Sequence, residues 1–265
     1  MAEQLVILAL IQGITEFLPI SSSSHLIIPN KLLGWEDQGL VFDVAVHLGS
    51  LGAVILVLRK RIKNLSYAIL IKFGRQYPRQ ARLGWLIAIA TIPVVLIGYL
   101  LASKLEEIAR NLWLIAFTTI VFALILWWAE KRAKNISLSR INIRSALIIG
   151  LAQVLALVPG TSRSGVTLSA CFMLGLGRRT SVEFSFLMSI PVIFGANVLM
   201  VHRLAVIGLE NVPWLNIILA ILITFTVAVA SIKFLLGWIE KIGIFPFVLY
   251  RLAVGIFLLW FCLFI

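Results

Sequence analysis

The stretch 10–26, LIQGITEFLPISSSSHL, places an acid, a histidine and four consecutive serines between apolar residues. Pro19 disfavours a helical conformation at the residue before it, so a helix arriving from the amino terminus should break here. Gln12 and Glu16 are four residues apart and therefore share one face of that helix. The stretch predicts two short helices joined by a polar turn.

Composition predicts an integral membrane protein of one domain, residues 1–265, because 61% of the residues are hydrophobic and only 13% are charged. Soluble domains are about 45–50% apolar and about a quarter charged. A spanning helix needs about 20 mostly apolar residues. The fold class expected is all-α and polytopic, with about six transmembrane helices. The six apolar segments are 40–58, 83–102, 112–129, 184–201, 212–232 and 242–265.

The net charge of the chain is +12, and its basic residues cluster between apolar segments. The two main clusters are 59–82, which includes Lys72 and Arg75, and 130–144. Cytoplasmic loops of membrane proteins carry such an excess. The charge therefore predicts the orientation of the chain, with these two basic segments on the cytoplasmic side of the membrane. It is not taken as a sign of nucleic-acid binding.

Two regions are too short to cross the membrane twice and are expected to turn back. Residues 144–179 begin and end on the same side, and "PGTSRSG" interrupts them. Residues 1–38 show the same design, interrupted by "PISSSSH". Non-helical backbone at membrane depth is tolerated where it is buried in protein or lines a wet cavity. Two re-entrant helix–loop–helix hairpins are therefore predicted.

An internal repeat connects the two hairpins. A shift of 140 residues places Pro19 on Pro159 and Ser22 on Ser162. Three apolar segments follow each hairpin, so the halves 1–130 and 140–265 should have inverted topology, with a binding site near the midplane. Chance matching of a few serines and prolines is the alternative.

The second hairpin carries the groups of an anion site. The guanidinium of Arg163 presents a planar fork of donors that matches phosphate or carboxylate oxygens. Hydroxyl groups and the free N–H groups of a helix start add further donors. A structural ion pair between Arg163 and Glu16 is the other interpretation, and the two are compatible. The candidate hydroxyl donors are Ser21, Ser162, Ser164 and Thr167.

An acid, a histidine, an arginine and several hydroxyls suit phosphoryl transfer, in which positioning and charge neutralisation supply most of the catalysis. Either Ser22 or His25 is a candidate nucleophile. Glu16, with the carbonyl of Gln12, is a candidate ligand pair for Mg²⁺ or Ca²⁺, which prefer oxygen ligands.

These residues resemble the bacterial undecaprenyl-diphosphate phosphatase family, which is associated with bacitracin resistance. "QGITEFLPISSSSH" at 12–25 and "PGTSRSGVT" at 159–167 match its two motifs, and "FDVAVHLGSLGAV", "EFSFLMSIP" and "FVLYRLAVG" extend the similarity along the chain. Gln12 stands where many members have Glu. By this resemblance, the functional positions of the family correspond in this chain to Glu16, Ser22, His25, Ser162, Arg163, Ser164 and Thr167.

The resemblance implies hydrolysis of a polyprenyl diphosphate lipid with a divalent cation, in a site that opens to the outer side of the membrane. In the mechanism we expect, Ser22 attacks the terminal phosphorus, and His25 or Glu16 removes its proton. His25 as the direct nucleophile is the competing mechanism. A secondary transporter or lipid flippase with a midplane anion site is the alternative function. Either function is compatible with a homo-oligomer.

Overall fold

The computed structural model describes residues 2–36, 38–70, 78–207 and 213–264, and the described chain is helical throughout apart from turns and one isolated bridge. This confirms the all-α prediction. Short 3₁₀ turns lie at Leu138–Arg140 and Leu155–Leu157. The α-helices are α1 Ala2–Thr15, α2 Ser22–Leu33, α3 Gly39–Val57, α4 Arg59–Leu70, α5 Pro78–Leu100, α6 Ala102–Ile108, α7 Leu112–Glu130, α8 Ile143–Val154, α9 Arg163–Met173, α10 Arg178–Ile207, α11 Trp214–Ile242 and α12 Phe245–Phe264.

Six of these helices, α3, α5, α7, α10, α11 and α12, are long and apolar enough to cross a membrane, which confirms the predicted number of spans. The largest differences from the predicted lengths are at α10, which has 30 residues, and α11, which has 29, since both continue well beyond the predicted segments. The basic region 59–82 was expected to be a loop, but its first part is helix α4. Lys72 and Arg75, residue 212 and residue 265 lie outside the described residues.

The four helices of the two predicted hairpins are short, at 11 to 14 residues each. At about 1.5 Å per residue, even 14 residues reach only about 21 Å, whereas the hydrocarbon core is about 30 Å thick. The order of elements also recurs, because each pair of short helices precedes three spanning helices. The inverted orientation of the two halves stays a prediction.

The constant spacing of 140 residues is wrong at the turns. Ser21 precedes α2 and Ser162 precedes α9, and both have positive φ angles, 72° and 69°. These structurally equivalent residues are 141 apart, so Ser22 corresponds to Arg163 rather than to Ser162. The reason is one extra residue between proline and cap in the second turn, where Gly160 adopts φ +87°, a conformation that glycine takes without steric cost.

Close packing of small residues holds the first hairpin in place. A Cβ atom on Gly13 of α1 would lie 2.8 Å from Cβ of Val227 and 2.9 Å from the carbonyl oxygen of Thr224, both on α11. Within the turn, the ring of Phe17 meets that of Phe186 on α10 edge to face, with centroids 5.3 Å apart. The first polar turn is therefore supported from two sides, by α11 and by α10.

Candidate active site

The two polar turns have the same strained cap. Ser21 and Ser162 have φ near +70° and ψ near +100°, a region that costs a residue with a side chain about 1–3 kcal/mol. Such strain persists only where surrounding contacts over-determine it, and it clusters at functional sites. In the second turn, the Oγ atom of Ser162 accepts a hydrogen bond of 3.2 Å from the amide of Gly165 and so caps α9.

Glu16 joins the two turns. Its Oε1 atom accepts a 2.7 Å charge-assisted bond from Nη2 of Arg163. Its Oε2 atom accepts bonds of 2.9 Å from Nε2 of Gln12 and of 2.9 Å from Oγ of Ser22. The predicted ion pair between the hairpins is thereby confirmed, and the carboxylate that neutralises the arginine is also the acceptor of the serine proton.

A cavity of about 760 Å³ opens onto this cluster, and Ser22 and Gln12 form part of its lining. Its walls are mostly apolar and come chiefly from α1, α2, α3, α6 and α10. Asp43 and His47 lie on the α3 wall, and Nδ1 of His47 donates a 2.7 Å bond to the carbonyl oxygen of Asp43. Part of the apolar lining is Leu8, Leu26, Ile27, Leu40, Phe42, Leu105, Leu199 and Met200.

Two buried polar atoms of the cluster have no hydrogen-bond partner, Oε1 of Gln12 and Nη1 of Arg163. Leaving a buried polar group unpaired costs about 1–3 kcal/mol. One atom is an acceptor and the other is a cationic donor. A ligand that satisfies both would present a hydrogen-bond donor or a cation to the amide oxygen and an acceptor oxygen, such as that of a phosphate, to the guanidinium.

His25 is engaged by other partners. Its Nδ1 atom lies 2.7 Å from the carbonyl oxygen of Ser21 and must carry the proton of that bond, because a carbonyl only accepts. Its Nε2 atom lies 2.7 Å from the hydroxyl of Tyr250, against which the ring also stacks. Ser22 donates to Glu16 instead. Of the two bases proposed for Ser22, the geometry favours Glu16, and a role of His25 in catalysis stays a prediction.

The remaining candidate hydroxyls are buried and bonded within the protein. Ser21 Oγ accepts a 3.0 Å bond from Ser24. Ser164 donates to the carbonyl oxygen of Leu18 at 2.9 Å and so connects the turns. Thr167 lies 2.6 Å from the hydroxyl of Ser185 on α10. The structure thus places these hydroxyls where they hold the turns together, and their binding of substrate stays a prediction.

Two residues of α12, Tyr250 and Arg251, were missed by the sequence analysis. Tyr250 bonds His25, and Arg251 bonds the carbonyl oxygens of both turns. The signal was present, because an arginine within an apolar segment is a functional candidate by default.

Comparison with known proteins gives full-length matches. The family model described as "Bacitracin resistance protein BacA" matches residues 5–257. The chain is 49% identical over 260 residues to an undecaprenyl-diphosphatase of Alteromonas mediterranea, covering 97% of each chain. It is 48% identical over 257 residues to an undecaprenyl-diphosphatase of Chromohalobacter salexigens, covering 96% of each. An undecaprenyl-diphosphatase of Saccharophagus degradans is 49% identical over 94% of each chain.

Proposed function

The chain belongs to the bacitracin resistance protein BacA family, and on this premise we propose that it is a membrane phosphatase that hydrolyses undecaprenyl diphosphate to undecaprenyl phosphate and inorganic phosphate. Relatives that cover nearly the whole chain carry the name undecaprenyl-diphosphatase. The reaction recycles the lipid carrier of cell-wall synthesis.

The observation that carries this function is the cluster of Ser22, Glu16 and Arg163 beside a large apolar cavity. An isoprenyl chain requires apolar walls, and its diphosphate requires a cationic donor. Nη1 of Arg163 is buried and has no hydrogen-bond partner, so it can donate a hydrogen bond to a phosphate oxygen. A serine hydroxyl bonded to a carboxylate is the arrangement that activates a nucleophile.

In the first half-reaction, the Oγ atom of Ser22 attacks the terminal phosphorus while its proton moves to Oε2 of Glu16, 2.9 Å away. The bond between that phosphorus and the bridging oxygen breaks, and undecaprenyl phosphate leaves with the electron pair. Arg163 neutralises charge that develops on the phosphoryl oxygens, as arginine does in other phosphoryl transfers. The product is a phosphoserine.

In the second half-reaction, water attacks the phosphorus of the phosphoserine and the bond to Oγ breaks. Glu16 returns its proton to that oxygen, while both protons of the attacking water stay with the phosphate, which leaves as dihydrogen phosphate. The hydrogen bond that Arg163 donates to the other oxygen, Oε1, at 2.7 Å, holds the carboxyl group in position whether or not Oε2 carries the proton. Glu16 therefore acts first as a base and then as an acid.

The residues present also fit a divalent cation. Oε1 of Gln12 is buried without a partner, and it lies on the side chain that bonds Glu16. An amide oxygen and a carboxylate oxygen are ligands that Mg²⁺ and Ca²⁺ accept, with substrate phosphates completing the shell. Such a cation supplies charge neutralisation at the phosphates. Gln12 would hold it through its carbonyl, and Glu16 through its carboxylate.

The cavity is proposed to open to the outer face of the bacterial inner membrane, since its rim lies at the opposite ends of α3 and α10 from Arg61 and Glu183, in the region predicted to be cytoplasmic from its charge. This orientation delivers phosphate outside the cell. Thiol labelling of single cysteines substituted at Asn30 and Asn135 tests it, since only the former should react from outside.

The test of the enzyme function is phosphate release from undecaprenyl diphosphate by the purified protein in detergent. Wild-type protein should release phosphate and Arg163→Ala should not. The recurring order of hairpin and spanning helices also suits a transporter. Movement of the lipid between leaflets of a vesicle without phosphate release would favour that function and contradict the phosphatase.

A further inference from the structure

Arg251 is a charged side chain with no exposure to solvent, near the middle of the apolar helix α12. Its Nη2 atom donates bonds of 3.0 Å to the carbonyl oxygens of Gly160 and Thr161. Its Nη1 atom lies 3.4 Å from the carbonyl oxygen of Pro19. Among the described residues, no carboxylate forms an ion pair with it. Its bonds are to main-chain carbonyls of the two polar turns.

Burial without a counter-ion makes this arginine expensive, because removing a charge from water costs several kcal/mol that only good partners offset. A leucine would pack in an apolar helix without that cost. The guanidinium instead reaches both turns at once, and its planar fork suits carbonyl groups on two different segments. The side chain therefore couples two parts of the chain that come from different halves.

The carbonyls that Arg251 holds are close in sequence to the reacting groups. Pro19 is three residues from Glu16 and three from Ser22, and Thr161 is two residues before Arg163. Any change in the separation of the turns therefore changes how Glu16 and Ser22, which flank the first turn, are placed against Arg163, which follows the second. Misplacement of reacting groups by about 1 Å can lower a rate about 100-fold.

We propose that Arg251 is a positioning residue for phosphate release: its bonds to both turns set the distance between them and thereby align Ser22, Glu16 and Arg163. This inference rests on the proposed phosphatase function. Arg251 is fully buried and both of its Nη atoms bond main-chain carbonyls of the turns, so it acts on the substrate only through the groups it aligns.

The test compares kcat and KM for undecaprenyl diphosphate in wild type and Arg251→Lys. Lysine keeps the positive charge but has no planar fork, so it cannot hold both turns. We expect kcat to fall about 10- to 100-fold. KM should change by less than about threefold, because contacts of the lipid with the cavity remain. A purely structural residue would lower the melting temperature and leave kcat unchanged.

Leu258→Ala is the matched control. Leu258 is also buried on α12, but it packs in an apolar cluster with Ile115 and Ala116 of α7 and with Ile27, and does not bond the turns. It should lower the melting temperature and leave kcat unchanged. Gly165→Ala disturbs the same contact from the opposite side, because a Cβ atom there would lie 2.7 Å from Nη1 of Arg251, closer than the 3.3 Å to Cβ and Oγ of Ser162. It should reproduce the loss of kcat, and it decides the matter if Arg251→Lys does not fold.

The outcomes distinguish a failure of the positioning role of Arg251 from a failure of the proposed phosphatase function. Phosphate release by wild type with a large loss of kcat in Arg251→Lys or Gly165→Ala supports the positioning role. Phosphate release by wild type with an unchanged kcat in a folded variant overturns it and leaves the phosphatase intact. A wild-type protein that releases no phosphate overturns the proposed function itself.

Discussion

Replacing Glu16 by glutamine removes the proton acceptor of the proposed nucleophile and changes little else in shape. The carboxylate accepts three bonds, from Arg163 at 2.7 Å, from Gln12 at 2.9 Å and from Ser22 at 2.9 Å. A glutamine amide oxygen can keep one of them, the bond from the arginine. It cannot take up the serine proton.

The expected size of the effect follows from that loss. General-base catalysis contributes about 10²- to 10⁴-fold, which corresponds to about 3–5 kcal/mol in the activation free energy at about 1.4 kcal/mol per tenfold. Steady-state phosphate release from undecaprenyl diphosphate measures it, and the fall should appear in kcat. A kcat that stays above about a tenth of the wild-type value would refute Glu16 as the base. A loss of less than about tenfold is smaller than the roughly 100-fold that removal of a general base should cause at the least.

The matched control is Glu183→Gln, which also removes a carboxylate paired with an arginine. Glu183 and Arg61 are 2.7 Å apart, but the arginine side chain is 45% exposed and the pair lies away from the cavity. Exposed ion pairs contribute about 0–1 kcal/mol to stability. This variant should therefore keep wild-type kcat, and a comparable loss in both variants would show that the effect at Glu16 is not specific to the site.

Three further predictions follow from the same geometry. The trapped phosphoenzyme should be stable in acid and labile in alkali, as a phosphate ester on Ser22 is; an acid-labile adduct would identify His25 as the nucleophile. Chelation with EDTA should abolish phosphate release and added Mg²⁺ or Ca²⁺ should restore it, while Gln12→Ala, which removes the unpaired amide oxygen, should raise the cation concentration required; activity unaffected by EDTA would contradict the cation. Gly13→Ala should lower the melting temperature, because its Cβ would lie 2.8 Å from a side-chain carbon of α11, whereas Gly195→Ala, with no atom within 4 Å, should not lower it; equal melting temperatures would refute the close packing of α1.

The sequence by itself determined the class of the protein and identified Glu16 and Arg163 as the two partners of the buried ion pair. Apolar segments of sufficient length predicted the six spanning helices, because the bilayer imposes a minimum length that can be counted. The spacing of Gln12 and Glu16 correctly predicted that their side chains meet, since Glu16 directly follows α1 and its amide still bonds the carbonyl oxygen of Gln12. The cost of burying Arg163 and Glu16 in an apolar chain predicted that they would meet, as they do at 2.7 Å.

Only the tertiary structure decided which group faces Ser22 and what holds the two turns together. His25 is drawn to Tyr250, 225 residues later in the chain, and no local pattern states which residue a ring will meet. The extra residue at Gly160 shifts the second turn by one position, since backbone conformation rather than residue identity defines the equivalent caps. Arg251 reaches both turns because α12 packs behind them, and such contacts exist only once distant segments are folded together.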